Sequence, residues 1–172
     1  MPTIGVAVAI PAPHGPWLQE QRAGFGDPQA SAIPPHVTLL PPTEVSEEQG
    51  RAMRGHLAQV AGAHRPFRMV LRGSGTFRPV SPVVFVMVSR GIAECERLEQ
   101  QVRSGPVERA LEFTYHPHVT VAHHLDEAAL DRAYDELAGY TAEFEVTQIH
   151  LYEHGADGVW RAVAEYPLAG VG

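Results

Sequence analysis

The tripeptide His-Val-Thr occurs twice in this chain, as His36-Val37-Thr38 before Leu39 and as His118-Val119-Thr120 before Val121. Each copy follows a proline, Pro35 or Pro117. With 10 histidines, 19 valines and 8 threonines among 172 residues, shuffling would give about 0.05 copies, and two copies about once in a thousand. Both copies lie in β-branched, apolar runs that read as strands. Alternate residues of a strand share a face, so the His and Thr of each copy point one way and the flanking Val and Leu the other. The chain must therefore build two strands that are buried on one side and carry an imidazole and a hydroxyl on the other.

The two histidines are 82 positions apart (118 − 36), close to half the chain, and similar elements follow each. After the first, which Pro41-Pro42 is expected to terminate, Ser46-Glu47-Glu48-Gln49 forms a capping box. It opens a helix to about Ala61 with Met53, Leu57 and Val60 on its apolar stripe. After the second, Asp126 caps a helix carrying Leu130, Tyr134 and Leu137, and Gly139 ends it. Strand candidates run over Ile4–Ile10, Phe67–Leu71 and Val83–Val88, the last two joined by a loop over Gly73–Pro79. Phe144–Tyr152 and Val159–Tyr166 read as a closing hairpin. Gly15-Pro16 opens a short helix; Ile92, Cys95, Leu98 and Val102 mark another; Val107–Leu111 is a further short helical stretch. The period is too long for a solenoid and points to one two-lobed, pseudo-symmetric α+β domain over residues 1–172. No glycine-rich fingerprint supports a dinucleotide fold.

Two such strands facing each other across a groove offer two imidazoles and two hydroxyls to one bound group. Histidine titrates nearest neutrality, so one copy can act as base while the other acts as acid. Hydroxyls and imidazolium N–H groups can hydrogen-bond phosphoryl oxygens as charge grows on them. The natural reaction for this set is metal-free opening of a phosphodiester.

The paired motifs His36-Val37-Thr38-Leu39 and His118-Val119-Thr120-Val121 resemble those of the two-histidine (2H) phosphoesterase superfamily, close to its 2′-5′ RNA ligase-like members. The likeness extends over nearly the whole chain, through Phe67–Phe77 with Pro82-Val83-Val84-Phe85 and through Leu151-Tyr152 with Tyr166-Pro167-Leu168. It implies an α+β, bilobal, duplicated fold with two antiparallel sheets lining a central cleft and helices outside. It also implies metal-independent hydrolysis of a 2′,3′-cyclic phosphate on a nucleotide or RNA end, or of a related 2′-5′ linkage. His36 and His118 would be the catalytic pair, and Thr38 and Thr120 the phosphate-binding hydroxyls. A catalytically silent nucleotide- or RNA-end-binding module on the same fold is the alternative.

Charge narrows the partner. With 13 Lys+Arg against 20 Asp+Glu and a net charge of −7, no global field draws in long polyanions. The expected ligand is a small cyclic phosphate or a short oligonucleotide end, taken by a monomer with no membrane partner. A single cysteine, Cys95, suits a reducing cytoplasm and reads as inert core. Arg78 is a candidate to reach a phosphate or stack on a base, Tyr115 to stack on substrate, and His116 to border the cleft. His123 and His124 read as solvated loop residues, His150 as an exposed strand histidine, and Trp17 and Trp160 as packing. The clustered histidines have no Cys or acidic partner at a familiar ligand spacing, so no metal or other cofactor is expected.

Overall fold

The computed structural model describes residues 1–170. Along these residues run β1 (Thr3–Ala9), α1 (His14–Gly24), β2 (His36–Glu44), α2 (Glu47–Gly62), β3 (Phe67–Thr76) and β4 (Val83–Arg90). They are followed by α3 (Ile92–Val102), β5 (His118–His123), α4 (Glu127–Glu136), β6 (Thr141–Val146), β7 (Gln148–His154) and β8 (Trp160–Pro167). The strands form two antiparallel four-stranded sheets, ordered β2-β1-β7-β8 and β5-β4-β3-β6. Each motif strand is the edge of its own sheet, and the two edges lie against each other.

The repeat is a β-α-β-α unit. Its elements recur at offsets of 80 (β1 to β4, 83 − 3), 78 (α1 to α3, 92 − 14), 82 (β2 to β5) and 80 (α2 to α4, 127 − 47). The chain crosses to the opposite sheet directly after the first unit, and after the second only once β6 has joined the sheet of β4 and β5. After α2 it enters the His118 sheet as β3, and after β6 it enters the His36 sheet as β7. The His118 sheet thus takes β3 from the first half, and the His36 sheet takes β7 and β8 from the second. The helices cross as well: α1 packs on β5, and α3 packs on β2.

Local chemistry explains the helices. Ser46 Oγ accepts from Gln49 N at 3.1 Å and Gln49 Oε1 accepts from Ser46 N at 2.9 Å, closing the capping box. Met53, Leu57 and Val60 are buried beneath that helix. Asp126 caps α4 through Ala129 N at 2.8 Å. The inner face of α4 is Leu130 and Ala133, followed by Leu137, while Tyr134 turns outward. Val37, Leu39, Val119 and Val121 are each at most 1% exposed. Burying side chains of this size contributes roughly 1.5–3 kcal/mol apiece. That apolar anchoring is what turns the His and Thr of each motif toward the cleft.

Four sequence expectations are corrected. Gly73–Thr76 is not loop but the end of β3, paired to β4. Pro41 and Pro42 do not end the first motif strand, which continues to Glu44. β2 is an edge, where a missing N–H leaves no ladder partner unsatisfied. Phe144–Tyr152 is two strands in different sheets, with Thr147 as the single residue between them. Val107–Leu111 is not helical. It belongs to the connection from α3 to β5, where Arg109 donates to Thr43 Oγ1 at 3.0 Å and also to Pro42 O. Among the described residues no helix is long and apolar enough to cross a membrane.

Candidate active site

The two motif histidines are held in the same way. His36 Nδ1 lies 2.8 Å from the Pro34 carbonyl, and His118 Nδ1 lies 2.6 Å from the His116 carbonyl. In both cases the acceptor is two residues back, across a proline that keeps the approach extended. A carbonyl can only accept, so Nδ1 carries the hydrogen and Nε2 keeps its lone pair for proton transfer. Both rings are half-buried. Burial lowers the proton affinity of each. His36 falls below its ordinary 6.5, against the opposing Pro34 bond and helped by the charge of Arg22. His118 is pushed down to about 4, chiefly by burial, with His116 and His36 adding repulsion. The two imidazoles therefore feel each other across the cleft.

Strand register shows what shares their face. Thr38 pairs with Ala7 and Ala7 with His150, so these side chains form one row on the His36 sheet. Thr120 pairs with Phe85 and Phe85 with Gly75, making the matching row on the His118 sheet. The rows differ in bulk. A Cβ at Gly75 would lie 2.6 Å from Phe85 Cε2, so the Phe85 ring lies across that glycine. With Phe77, at 4.5 Å between centroids, it forms an aromatic shelf under His118, whose ring stands 5.1 Å from Phe85 and 5.0 Å from Phe77. On the His36 sheet small residues leave a groove instead. It is lined by Gly5, Ala7, Thr38, Tyr152 and Trp160 beside His36. Tyr152 stands 6.5 Å from the His36 ring.

Of the further residues singled out by sequence, His116 is exposed at the cleft rim, 5.9 Å from the His118 ring. Arg78 does not reach toward the histidines. Its Nη1 donates to Asp131 at 2.8 Å and Glu127 at 3.0 Å, and its Nε donates to Thr76 Oγ1 at 3.1 Å. The carboxylates near the start of α4 have claimed it. Tyr115 packs against the core, and its hydroxyl donates to the Thr38 carbonyl at 2.8 Å, which ties the approach of β5 to β2 rather than offering a stacking face. Replacing Tyr115 with Phe should cost about 1 kcal/mol, the usual net worth of such a bond, read as a lower urea midpoint at unchanged slope.

His150 is half-buried on the cleft face, not exposed, and its Nδ1 is buried with no hydrogen-bond partner among the described residues. Burial lowers its proton affinity, while Glu165 opposes. Trp160 lines the groove, whereas Trp17 stacks on Tyr140 at 5.1 Å. Gly5 was the available hint for Trp160: a glycine inside a strand often marks close approach, and a Cβ there would meet the Trp160 ring at 3.5 Å. The rings of His123 and His124 stack at 3.7 Å. Among the described residues no group of three or more His, Cys, Asp or Glu is arranged to hold a metal ion. Cys95 is buried, and its thiol is pushed up to about 12 by burial first, then by Glu94 and Glu96.

A family model described as the 2′-5′ RNA ligase superfamily matches residues 10–158. A relative from Geobacillus kaustophilus named "Putative phosphoesterase" is 30% identical over 146 residues, covering 84% of this chain and 84% of its own. One of the same name from Bacillus licheniformis is 30% identical over 144 residues, covering 83% and 85%. Among solved structures, E. coli LigT complexed with 3′-AMP superimposes with a TM-score of 0.71 at 23% identity, over 98% of this chain and 99% of that one. TT0787 of Thermus thermophilus gives 0.67 at 20% identity, over 100% of both chains. At these identities the two structures establish the shared fold.

Proposed function

The chain belongs to the 2′-5′ RNA ligase superfamily, and on that premise we propose that it hydrolyses a small cyclic phosphodiester with His36 and His118 as a metal-independent acid–base pair. The observation that carries this reading is the matched pair of Nδ1–carbonyl bonds, which leaves one Nε2 per motif for proton transfer. One neutral imidazole takes a proton from water as the water oxygen bonds to phosphorus. The other, protonated, delivers its proton to the ribose oxygen as the P–O bond to it breaks. The products are a phosphomonoester and a free hydroxyl, and proton exchange with solvent resets the pair. Thr38 and Thr120 share faces with the histidines and donate to the non-bridging oxygens. His116 borders the His118 side.

The groove beside His36 supports a nucleotide substrate, because the half-buried Trp160 ring lines it and offers aromatic surface to a base. Solved structures of LigT hold 3′-AMP, NADP+ and ATP, and a nucleotide in this cleft is the corresponding reading. The net charge of −7 favours a mononucleotide or a short RNA end over a long polyanion. Both histidines come from one chain, so a monomer suffices, and the exchanged strands support treating residues 1–172 as one domain.

The test is a panel of 2′,3′-cyclic mononucleotides, 2′-5′-linked dinucleotides and cyclic-phosphate-ended RNA, each with and without EDTA. Turnover of at least one class, unchanged by EDTA, is expected. Nucleotide binding with no turnover of any substrate would replace this reading with that of a silent binding module.

A further inference from the structure

The two sheets place an aromatic ring at the same point beside each motif histidine. β7 stands to β1 as β3 stands to β4. In the His36 sheet Ala7 pairs with His150 and Gly5 with Tyr152. In the His118 sheet Phe85 pairs with Gly75, and two residues further along Phe77 N donates to the Val83 carbonyl at 3.1 Å. Phe77 is therefore the counterpart of Tyr152. The Phe77 ring stands 5.0 Å from that of His118, and the Tyr152 ring 6.5 Å from that of His36. The two side chains differ only in the Tyr152 hydroxyl.

Packing does not account for that oxygen, since Phe77 fills its place without one. Tyr152 is 5% exposed, and a polar atom in such surroundings is costly unless it finds a partner. The Tyr115 hydroxyl is taken by the Thr38 carbonyl, and that of Tyr140 is sealed in the interior. The Tyr152 hydroxyl is in neither state. Among the described residues it has no hydrogen-bond partner, and it is not sealed off from the groove that Tyr152 lines.

The direction of the ring follows from the sheet. β1 lies between β7 and β2, so the backbones of those two strands are about 9.5 Å apart. With ring centres 6.5 Å apart, Tyr152 and His36 lean toward each other across β1, which presents only Gly5 and Ala7 there. His36 and Thr38 line the same groove, and the Trp160 ring lies over Gly5. Burial raises the proton affinity of the phenol, which keeps it a donor.

We propose that the Tyr152 hydroxyl is a specificity-determining donor that hydrogen-bonds a sugar oxygen of the nucleotide and so seats the nucleoside on the His36 side of the cleft. This rests on the reading of the cleft as a nucleotide phosphodiester site. Between a phosphate held at Thr38 and a base lying on Trp160, the connecting group is the ribose. His36 and Thr38 serve the phosphate, which leaves Tyr152 for the sugar. Phe77 gives a sugar no such bond, so a substrate turned about the pseudo-two-fold axis loses it.

Tyr152→Phe removes the oxygen alone and reproduces the ring found on the opposite side. The test measures binding of 3′-AMP and of inorganic phosphate by NMR shift titration, beside thermal melts and kcat/KM on a 2′,3′-cyclic nucleotide. Affinity for 3′-AMP and kcat/KM should each fall about 5–10-fold, as the loss of one neutral hydrogen bond implies. Affinity for phosphate should stay within about twofold, and the melt should not move, because no protein group loses a partner. The proposal is overturned if Tyr152→Phe binds 3′-AMP as tightly as the wild type, if it loses phosphate by the same factor, or if the wild type binds no 3′-AMP. Binding needs no turnover, so a protein that hydrolyses none of the cyclic phosphodiesters would sink the functional reading while the titrations still decide the role of Tyr152.

Discussion

Replacing either His36 or His118 with alanine should lower kcat/KM for a 2′,3′-cyclic nucleotide by about 10²–10⁴-fold, the usual worth of one positioned proton transfer. The double variant should lose little more than the worse single one, because a base without its acid completes no turnover. Neither loss should come from unfolding. Both rings are half-buried, and their side-chain bonds run to a carbonyl two residues away, so no tertiary contact hangs on the Nδ1 hydrogen. Steady-state kinetics beside thermal melts separates the two effects. Thr38→Val and Thr120→Val should cost less, since each substitution removes one donor to the phosphate and leaves the proton path whole. Wild-type rates in either histidine variant would end the acid–base reading.

The second large effect is on pH. A cleft needing one protonated and one neutral imidazole is active only while the pair holds a single proton. Its kcat/KM profile is then a bell whose limbs belong to the pair rather than to either residue. The acid limb, where the second proton arrives, should fall near pH 4, because burial and then the neighbouring imidazoles push His118 to about 4. The alkaline limb should lie below 6.5, since His36 is lowered from that value by burial and by Arg22. The optimum therefore sits on the acid side of an ordinary histidine. Phe85→Ala should admit water beneath His118 and move the acid limb upward, narrowing the bell. Stability follows the same sign. A histidine that resists protonation when folded leaves the unfolded chain binding more protons below 6.5. Its contribution is complete above pH 6.5 and is lost as pH falls from there toward 4.

Much of this site was readable from residue order alone. Alternation in His36–Leu39 and His118–Val121 placed each imidazole beside its hydroxyl, and both helix caps formed where Ser46 and Asp126 announced them. What escaped the sequence depends on the third dimension. Thr147 changes sheets inside a run that looks like one strand, because local propensity is blind to which neighbour a strand will find. Arg22 and Asp27 look like ordinary members of a helix and its stop signal, and only the fold brings His123, almost a hundred positions on, to Asp27. Arg78 and Tyr115 carried plausible chemistry, and only the fold shows that Glu127, Asp131 and the Thr38 carbonyl hold their polar atoms.

The strand exchange also sets an order of assembly. Every strand of the His118 sheet lies between Phe67 and Val146, whereas the His36 sheet draws on Thr3 at one end and Pro167 at the other. During synthesis β1 and β2 emerge first but can make only a two-stranded ribbon, which is marginal in water. They must wait for β7, which joins Ile4 to Glu153. The His118 half can close while the chain is still being made, so the half carrying the aromatic groove is completed last.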